Sequence, residues 1–269
     1  MRRWCSAAGL FAVVFFVTFG FLSCGGSASS RTTSSSSPPP SSGNGGSTPS
    51  GATVIDNIED ADKWLTCGAC GNDGGTGSVA NYSVTVGLPS PSEDGSATQF
   101  AIAASVPYTN AYFYQTHDAV NGQINFLAYE FDVYIPNGSE NAPQALEFEC
   151  QERLNGWTYN FAWQANYGGN TWRIFNYVAK QWDESGLSFQ PFSPGTWHHI
   201  VAEYHNDVST HSVLHDALTV DGVRFPVNIR HDAAFEGASD ELSNAVQLDS
   251  NNVPTAYKIF VDRMKITYK

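Results

Sequence analysis

Several things are scarce in this chain of 269 residues. Basic side chains come first: 13 Lys and Arg stand against 26 Asp and Glu, a formal net charge of −13. Arg2 and Arg3 sit at the very start, so the rest carries 11 basic against 26 acidic groups, a net charge of −15. Such a chain offers no cationic face to a phosphate backbone, which sets nucleic acid aside as a partner. Cysteine is the second scarcity, with Cys5, Cys24, Cys67, Cys70 and Cys150. Cys67-Gly68-Ala69-Cys70 has no second CxxC to complete a four-thiolate metal site and no βαβ pattern of a thioredoxin-like fold around it. A local disulfide between Cys67 and Cys70 is the favoured reading, with a redox pair or half of a metal site as alternatives, and Cys150 is left a buried free thiol. Sustained helical periodicity is missing altogether. Long apolar runs are missing too, with one exception: Leu10 to Leu22, 13 residues.

That run falls short of the about 20 residues a bilayer span needs, and it follows the basic start Met1-Arg2-Arg3, so 1–23 reads as a signal peptide. Phe21-Leu22-Ser23-Cys24 resembles the bacterial lipobox, which implies lipidation at Cys24 and a cell-envelope lipoprotein anchored to the membrane through lipid alone; plain secretion is the alternative. Residues 24–52 are Ser, Gly, Thr and Pro with almost no large apolar group (SSSSPPPSSGNGGSTPSG). Such a stretch buries too little surface to offset its ordering entropy and reads as a disordered tether. The remaining residues, 53–269, contain no second linker and form one domain.

Within it, short runs rich in aromatic and β-branched residues alternate with turn signals. Phe126 to Ile135 (FLAYEFDVYI) is the clearest strand, and Ala145 to Gln151 follows it with Leu146, Phe148 and Cys150 on one face and Glu147, Glu149 and Gln151 on the other. Tyr159 to Tyr167 and Thr171 to Val178 flank the turn Gly168-Gly169-Asn170. Trp197 to His205 follows Pro194-Gly195, Asp221-Gly222 marks a tight hairpin, and Tyr257 to Tyr268 is the last strand. The class is all-β, a sandwich or a barrel.

Pro194-Gly195-Thr196-Trp197-His198-His199-Ile200-Val201, followed by Leu218-Thr219-Val220-Asp221-Gly222-Val223, resembles the concanavalin A-like lectin/glucanase superfamily, laminin-G-like domains included. The likeness spans 53–269 and implies a two-sheet antiparallel jelly-roll sandwich. Glu147-x-Glu149-x-x-Glu152 also resembles the Glu-x-Asp-x-x-Glu strand of laminarinase-type glycoside hydrolases. Carried over, that likeness implies Glu147 as nucleophile, Glu149 as its assistant and Glu152 as acid/base, with the two reacting carboxyls about 5 to 5.5 Å apart. Here Glu replaces the central Asp, and a period of two sets Glu152 on the core side unless a bulge intervenes.

The residues themselves point first to a carbohydrate-binding face. Glu147, Glu149 and Gln151 supply acceptors and an amide, and Glu130 and Asp132 extend the acidic row if their strand is a neighbour. Trp197, His199 and Glu203 share one strand face and supply an aromatic floor, on which the apolar faces of sugar rings stack. Arg173, with Trp163, Trp172, Asn166 and Tyr167, would form the other wall. A polysaccharide lyase drawing on Arg173, Gln164, Tyr204 and His199 is a further alternative, as is an adhesion domain whose partner is a protein. No cofactor is certain from the residues. A structural Ca2+ held by Asp56, Glu59 and Asp262, with Asp60 close by, is one reading if the first and last strands pair, and solvated acids at strand ends are the equal alternative; His205, His211 and His215 read as surface histidines.

Overall fold

The computed structural model describes residues 49–67, 81–118, 120 and 122–269. The leader, Cys24, most of the tether and Cys70 lie outside the described residues, and so does the expected Cys67–Cys70 pairing. Alternating apolar and polar side chains build sixteen strands and no helix among the described residues. In chain order they are β1 (Thr53–Ile55), β2 (Leu65–Cys67), β3 (Asn81–Leu88), β4 (Ala97–Ala103), β5 (Asn110–His117), β6 (Phe126–Tyr134), β7 (Pro143–Leu154) and β8 (Gly156–Asn166). Then come β9 (Thr171–Asn176), β10 (Gln181–Ser188), β11 (Trp197–Asp207), β12 (Ser212–Val220), β13 (Val223–Asp232), β14 (Ala234–Ala238), β15 (Glu241–Ser250) and β16 (Tyr257–Tyr268).

They form two antiparallel sheets, the sandwich implied by the concanavalin A-like resemblance. The first runs β13-β12-β11-β6-β16-β4-β3 with β1 beside β16; the second runs β10-β9-β8-β7-β15-β5-β2 with β14 beside β8. Every strand turns one row of side chains inward, and the inward rows meet as a core of aromatic rings. Phe131 of β6 stacks on Phe148 of β7 with ring centroids 4.3 Å apart, joining the two layers. Trp163 and Trp172 are buried in this core and so are not walls of a surface groove, as the sequence had suggested. Cys150 is the free, buried thiol expected.

β6 and β7 belong to different sheets, so the condition under which Glu130 and Asp132 would extend the acidic row, a neighbouring strand, is not met. Both edges of β6 are taken, by β11 and by β16, and the chain after Tyr134 crosses to the other sheet before β7 begins.

Tight hairpins set the registers. Asp221 and Gly222 have φ of 49° and 79°, the left-handed pair that an Asp-Gly hairpin turn demands. Asn155 and Gly156 repeat the arrangement between β7 and β8, with φ of 52° and 82°. At Gly156 an added Cβ would meet Phe235 at 2.8 Å and the Gly237 backbone at 3.2 Å. Gly156→Ala is therefore expected to destabilise the fold by about 1–2 kcal/mol, lowering the melting temperature by a few degrees in thermal denaturation. An unchanged melting temperature would mean that this turn is not under steric constraint.

Candidate functional site

The outer face of the second sheet, turned away from the core, is built by five central strands. On β7 the period of two points Ala145, Glu147, Glu149, Gln151 and Arg153 outward. Across the ladder to β8, Glu147 lies opposite Gln164, Glu149 opposite Ala162 and Gln151 opposite Asn160. Across the other ladder, to β15, Glu147 lies opposite Gln247 and Ala145 opposite Asp249. Tyr112 of β5 is opposite Gln247, and Arg173 of β9 is opposite Gln164. Glu147, Glu149, Gln151 and Arg173 thus share one face, as the sequence suggested.

Three carboxyls stand close together there, and no basic side chain pairs with them among the described residues. Gln164 donates from Nε2 to Glu147 Oε1 at 2.7 Å, and Gln247 donates from Nε2 to Asp249 Oδ1 at 2.9 Å. Tyr112 and Asn160 hydrogen-bond Glu149. Burial, then repulsion from Asp249 and Glu149, holds the Glu147 carboxyl well above the usual range. Burial and Asp249 push Glu149 up to about 7. Burial raises Asp249 to about 6 against the opposing hydrogen bonds from Glu147 and Gln247. Like charges this close do not all ionise, so the hydrogen-bonded pair of Glu147 and Asp249 shares a proton. Asn160 Oδ1 is buried on the same face without a partner, an acceptor left over once the internal bonds are made.

Aromatic pairs flank this centre. Tyr112 and Tyr114 of β5 have ring centroids 5.7 Å apart on one side. On the other, Phe175 of β9 and Trp182 of β10 are directly opposite in the ladder, with centroids 5.1 Å apart. β5 and β9 are four strand spacings apart, about 19 Å. Beside them Arg173 donates to Glu184 at 2.6 Å, so its charge is locally matched.

The other residues expected in this groove are elsewhere. Glu130, Asp132, Trp197, His199 and Glu203 lie together on the outer face of the first sheet, because β6 and β11 belong to that sheet. Their acids are matched by cations. His199 Nδ1 lies 2.9 Å from Asp132 Oδ1, Arg263 donates to Asp132 Oδ2 at 2.6 Å, Lys265 is 2.9 Å from Glu130 and Arg224 is 2.6 Å from Glu203. Burial pushes the Asp132 carboxyl up, but the bonds from His199 and Arg263 outweigh it and hold it below its ordinary value. The Asp132 hydrogen bond in turn raises His199. An ion-paired lattice of this kind is already satisfied, unlike the carboxyl row of the second sheet.

Glu152 is the second correction. The β7 ladders to β8 and β15 run without a bulge through this position, so parity sends Glu152 to the core side, opposite to Glu147. There its carboxyl accepts from the Ile124 N–H at 3.3 Å and from Asn206 Nδ2 at 2.5 Å, and burial raises it to about 7. Asn206 Oδ1 has no partner, so a turn of that amide lets it accept from protonated Glu152. Glu147 and Glu152 therefore do not form the acid/base and nucleophile pair of a retaining hydrolase. Glu152→Gln keeps the same bond to a turned Asn206 and is expected to leave ligand binding within about twofold of wild type, read by isothermal titration. Loss of binding in a folded Glu152→Gln chain would restore it to the site.

Tyr204 is buried in the core and donates to the Phe161 carbonyl, and His199 is on the other sheet, so the set considered for a lyase is dispersed. Asp56 is a third correction: one of its oxygens accepts from the adjacent Asn57 N–H, and Asp94 takes the expected place beside Glu59 and Asp262. His215 is no surface group but fully buried, with both ring nitrogens unpartnered and burial lowering it to about 3. The residues that sequence reasoning passed over are Asp249 and Gln247 on β15, Tyr112 and Tyr114 on β5, and Phe175 and Trp182. For Tyr112, Tyr114 and Phe175 the signal was the same alternation that marks β7.

No protein-family model and no curated protein matches the chain. Solved structures resemble it in fold. A carbohydrate-binding module of the β-sandwich superfamily is 11% identical over 77% of this chain with a TM-score of 0.39, and the match spans 56% of that structure's length. Arcelin-5, a lectin-like defence protein from Phaseolus vulgaris, is 10% identical, with 77% of this chain and 97% of arcelin covered and a TM-score of 0.41. A carbohydrate esterase from the Shiga toxin-encoding bacteriophage phi24B is 15% identical, covering 81% of this chain and 100% of that one at a TM-score of 0.47.

Proposed function

We propose that the outer face of the second sheet binds a carbohydrate chain. The observation that supports this most is the row of Glu147, Glu149 and Asp249, which no basic side chain pairs among the described residues, set among Gln164, Gln247 and Asn160 and flanked by aromatic pairs. Sugar hydroxyls are donors as well as acceptors. They match a face with a surplus of acceptor oxygens, while the apolar faces of sugar rings stack on Tyr114 or Trp182. The span between the aromatic flanks suits an oligosaccharide laid across the strands better than a single sugar. Its charge favours neutral glycans: a uronate polymer would bring further carboxylates to carboxylates, with Arg173 already engaged by Glu184.

The same reading sets the domain outside the cytoplasm, on a tether anchored by lipid at Cys24. The apolar run of Leu10 to Leu22 and the Ser, Gly and Pro stretch after Cys24 support that placement.

The test is a panel of soluble and insoluble glycans presented to the full chain, with Glu149→Ala and Trp182→Ala alongside. Neutral β-glucans, xylans or mannans are expected to bind, and both substitutions to weaken binding. Binding to none of them, or to uronate polymers alone, would overturn the proposal. A hydrolytic reading keeps one supporting observation, two hydrogen-bonded carboxyls, Glu147 and Asp249, both raised by burial, the kind of pair that can serve as a general acid and its partner. Reducing ends released by wild type and not by Glu147→Gln would favour it over binding alone.

A further inference from the structure

Outside that face, Glu59, Asp94 and Asp262 bring one carboxylate oxygen each within 4.8 Å of one another. Sequence separation makes this convergence informative. Glu59 lies between β1 and β2, Asp94 in the turn between β3 and β4, and Asp262 on β16. Glu59 has 0% of its surface exposed, and its two oxygens fare differently. Oε2 accepts from the Met264 N–H at 2.9 Å; Oε1 is buried with no partner at all. A buried carboxylate with one satisfied oxygen and two further acids beside it is costly unless a positive charge completes it. No Lys, Arg or His forms a salt bridge with any of the three among the described residues.

We propose that Glu59, Asp94 and Asp262 hold a Ca2+ ion that fastens the segment crossing between the two sheets. The donors are all carboxylate oxygens, the hard ligands that Ca2+ prefers, and the 4.8 Å limit on their separations is the diameter of a shell with Ca–O distances of about 2.4 Å. The backbone of Glu59 is fixed in place, its carbonyl accepting from Trp64 Nε1 at 3.1 Å and from Thr98 Oγ1 at 2.7 Å. Asp262 is oriented by the Ser92 hydroxyl at 2.8 Å and by the Glu93 N–H at 2.6 Å. Three carboxylates leave part of the shell to water, and the exposure of Asp94 gives the ion a way in. The bound ion would join β16 of the first sheet to the loop leading into β2, and β2 pairs with the β5 segment carrying Tyr112 and Tyr114.

The experiment uses the purified full chain after chelation and exchange into metal-stripped buffer. Calcium chloride is expected to raise the melting temperature by about 5–10 °C at a hundredfold excess over its Kd. Magnesium at the same concentration is expected to give less than half that shift. Terbium is expected to luminesce on excitation of Trp64, and calcium to displace it. Asp94→Asn lies on an exposed turn; it is expected to keep the calcium-free melting temperature and to bind calcium at least about tenfold more weakly. Glu59→Gln, if it folds, is expected to lose the calcium response. Absence of any calcium shift up to about 10 mM, above the weakest extracellular sites, overturns the proposal. So does undiminished affinity in Asp94→Asn, or an equal response to magnesium.

Discussion

Thermal stability should be highest near pH 5 and decline by roughly 10 °C between pH 5 and 8, the reverse of ordinary acid denaturation. The cause is a set of carboxyls whose folded values lie above their unfolded ones: Glu149 and Glu152 at about 7 and Asp249 at about 6. Between about pH 4.5 and 6 the unfolded chain has released these protons while the folded chain still holds them. The unfolded state then binds fewer protons, so stability falls as pH rises, by up to about 1.4 kcal/mol per pH unit for each group. His199 acts in the same direction: raised by Asp132, it contributes stability below its ordinary value that is lost as pH rises through the raised one. Its side chain is partly in solvent, which makes its share small. His215, which burial lowers to about 3, and His117, also lowered by burial, oppose the trend up to their ordinary value, because there the unfolded chain takes up protons that the folded chain refuses; the several raised carboxyls outweigh them, and Asp132, held low, opposes the trend only in acid. Calorimetry at constant ionic strength and in chelator would read the profile. A melting temperature that stays flat or climbs from pH 5 to 8 would show that these carboxyls ionise freely in the fold.

How far the sequence discloses this molecule depends on whether a property is local. Alternation is local, so the faces of β6, β7 and β11 follow from neighbours two residues apart, as do the Asp221-Gly222 hairpin and the burial of Cys150. Which strands lie side by side is not local. Phe126–Tyr134 and Pro143–Leu154 are consecutive strands of similar pattern, and nothing within either tells that the chain between them changes sheet. That change sends Glu130 and Asp132 to one side of the sandwich and Glu147 and Glu149 to the other. Glu152 shows the opposite case: the Glu-x-Glu-x-x-Glu spacing suggested an active pair, while the parity rule read from the same residues placed Glu152 inside. The unbroken ladder follows the parity rule. Asp249 was hidden for a third reason. Its strand, Glu241–Ser250, carries Asn244 and Ser250 on the inward row, and polar inward positions mask the alternation of Leu242, Val246 and Leu248. The partners of Asn244, His117 Nε2 at 2.8 Å, the Tyr129 hydroxyl at 3.3 Å and Met264 Sδ at 3.5 Å, come from three other strands.

Asp249→Asn should separate stability from binding. At pH 8 the substitution removes the charge that raises both Glu147 and Glu149, so the folded state is expected to gain about 1–3 kcal/mol. The replacement is nearly isosteric. Its carbonyl can accept from protonated Glu147, and Gln247 can turn its amide to meet the new N–H. Glycan binding is expected to weaken by roughly thirtyfold to a hundredfold, because a charged acceptor bonds a hydroxyl more strongly than a neutral one and Glu149 loses the neighbour that sets its protonation. Chemical denaturation and titration calorimetry on the same sample read the two effects. A variant that is stabilised and binds normally would keep the carboxyl cluster but remove it from the ligand face. One that is destabilised at pH 8 would mean that Asp249 is compensated in the folded chain and does not repel its neighbours. Gain in stability with loss of binding is the outcome expected of a site where like charges are held together for a ligand, since the repulsion relieved by the mutation is what the hydroxyls of a bound glycan would offset.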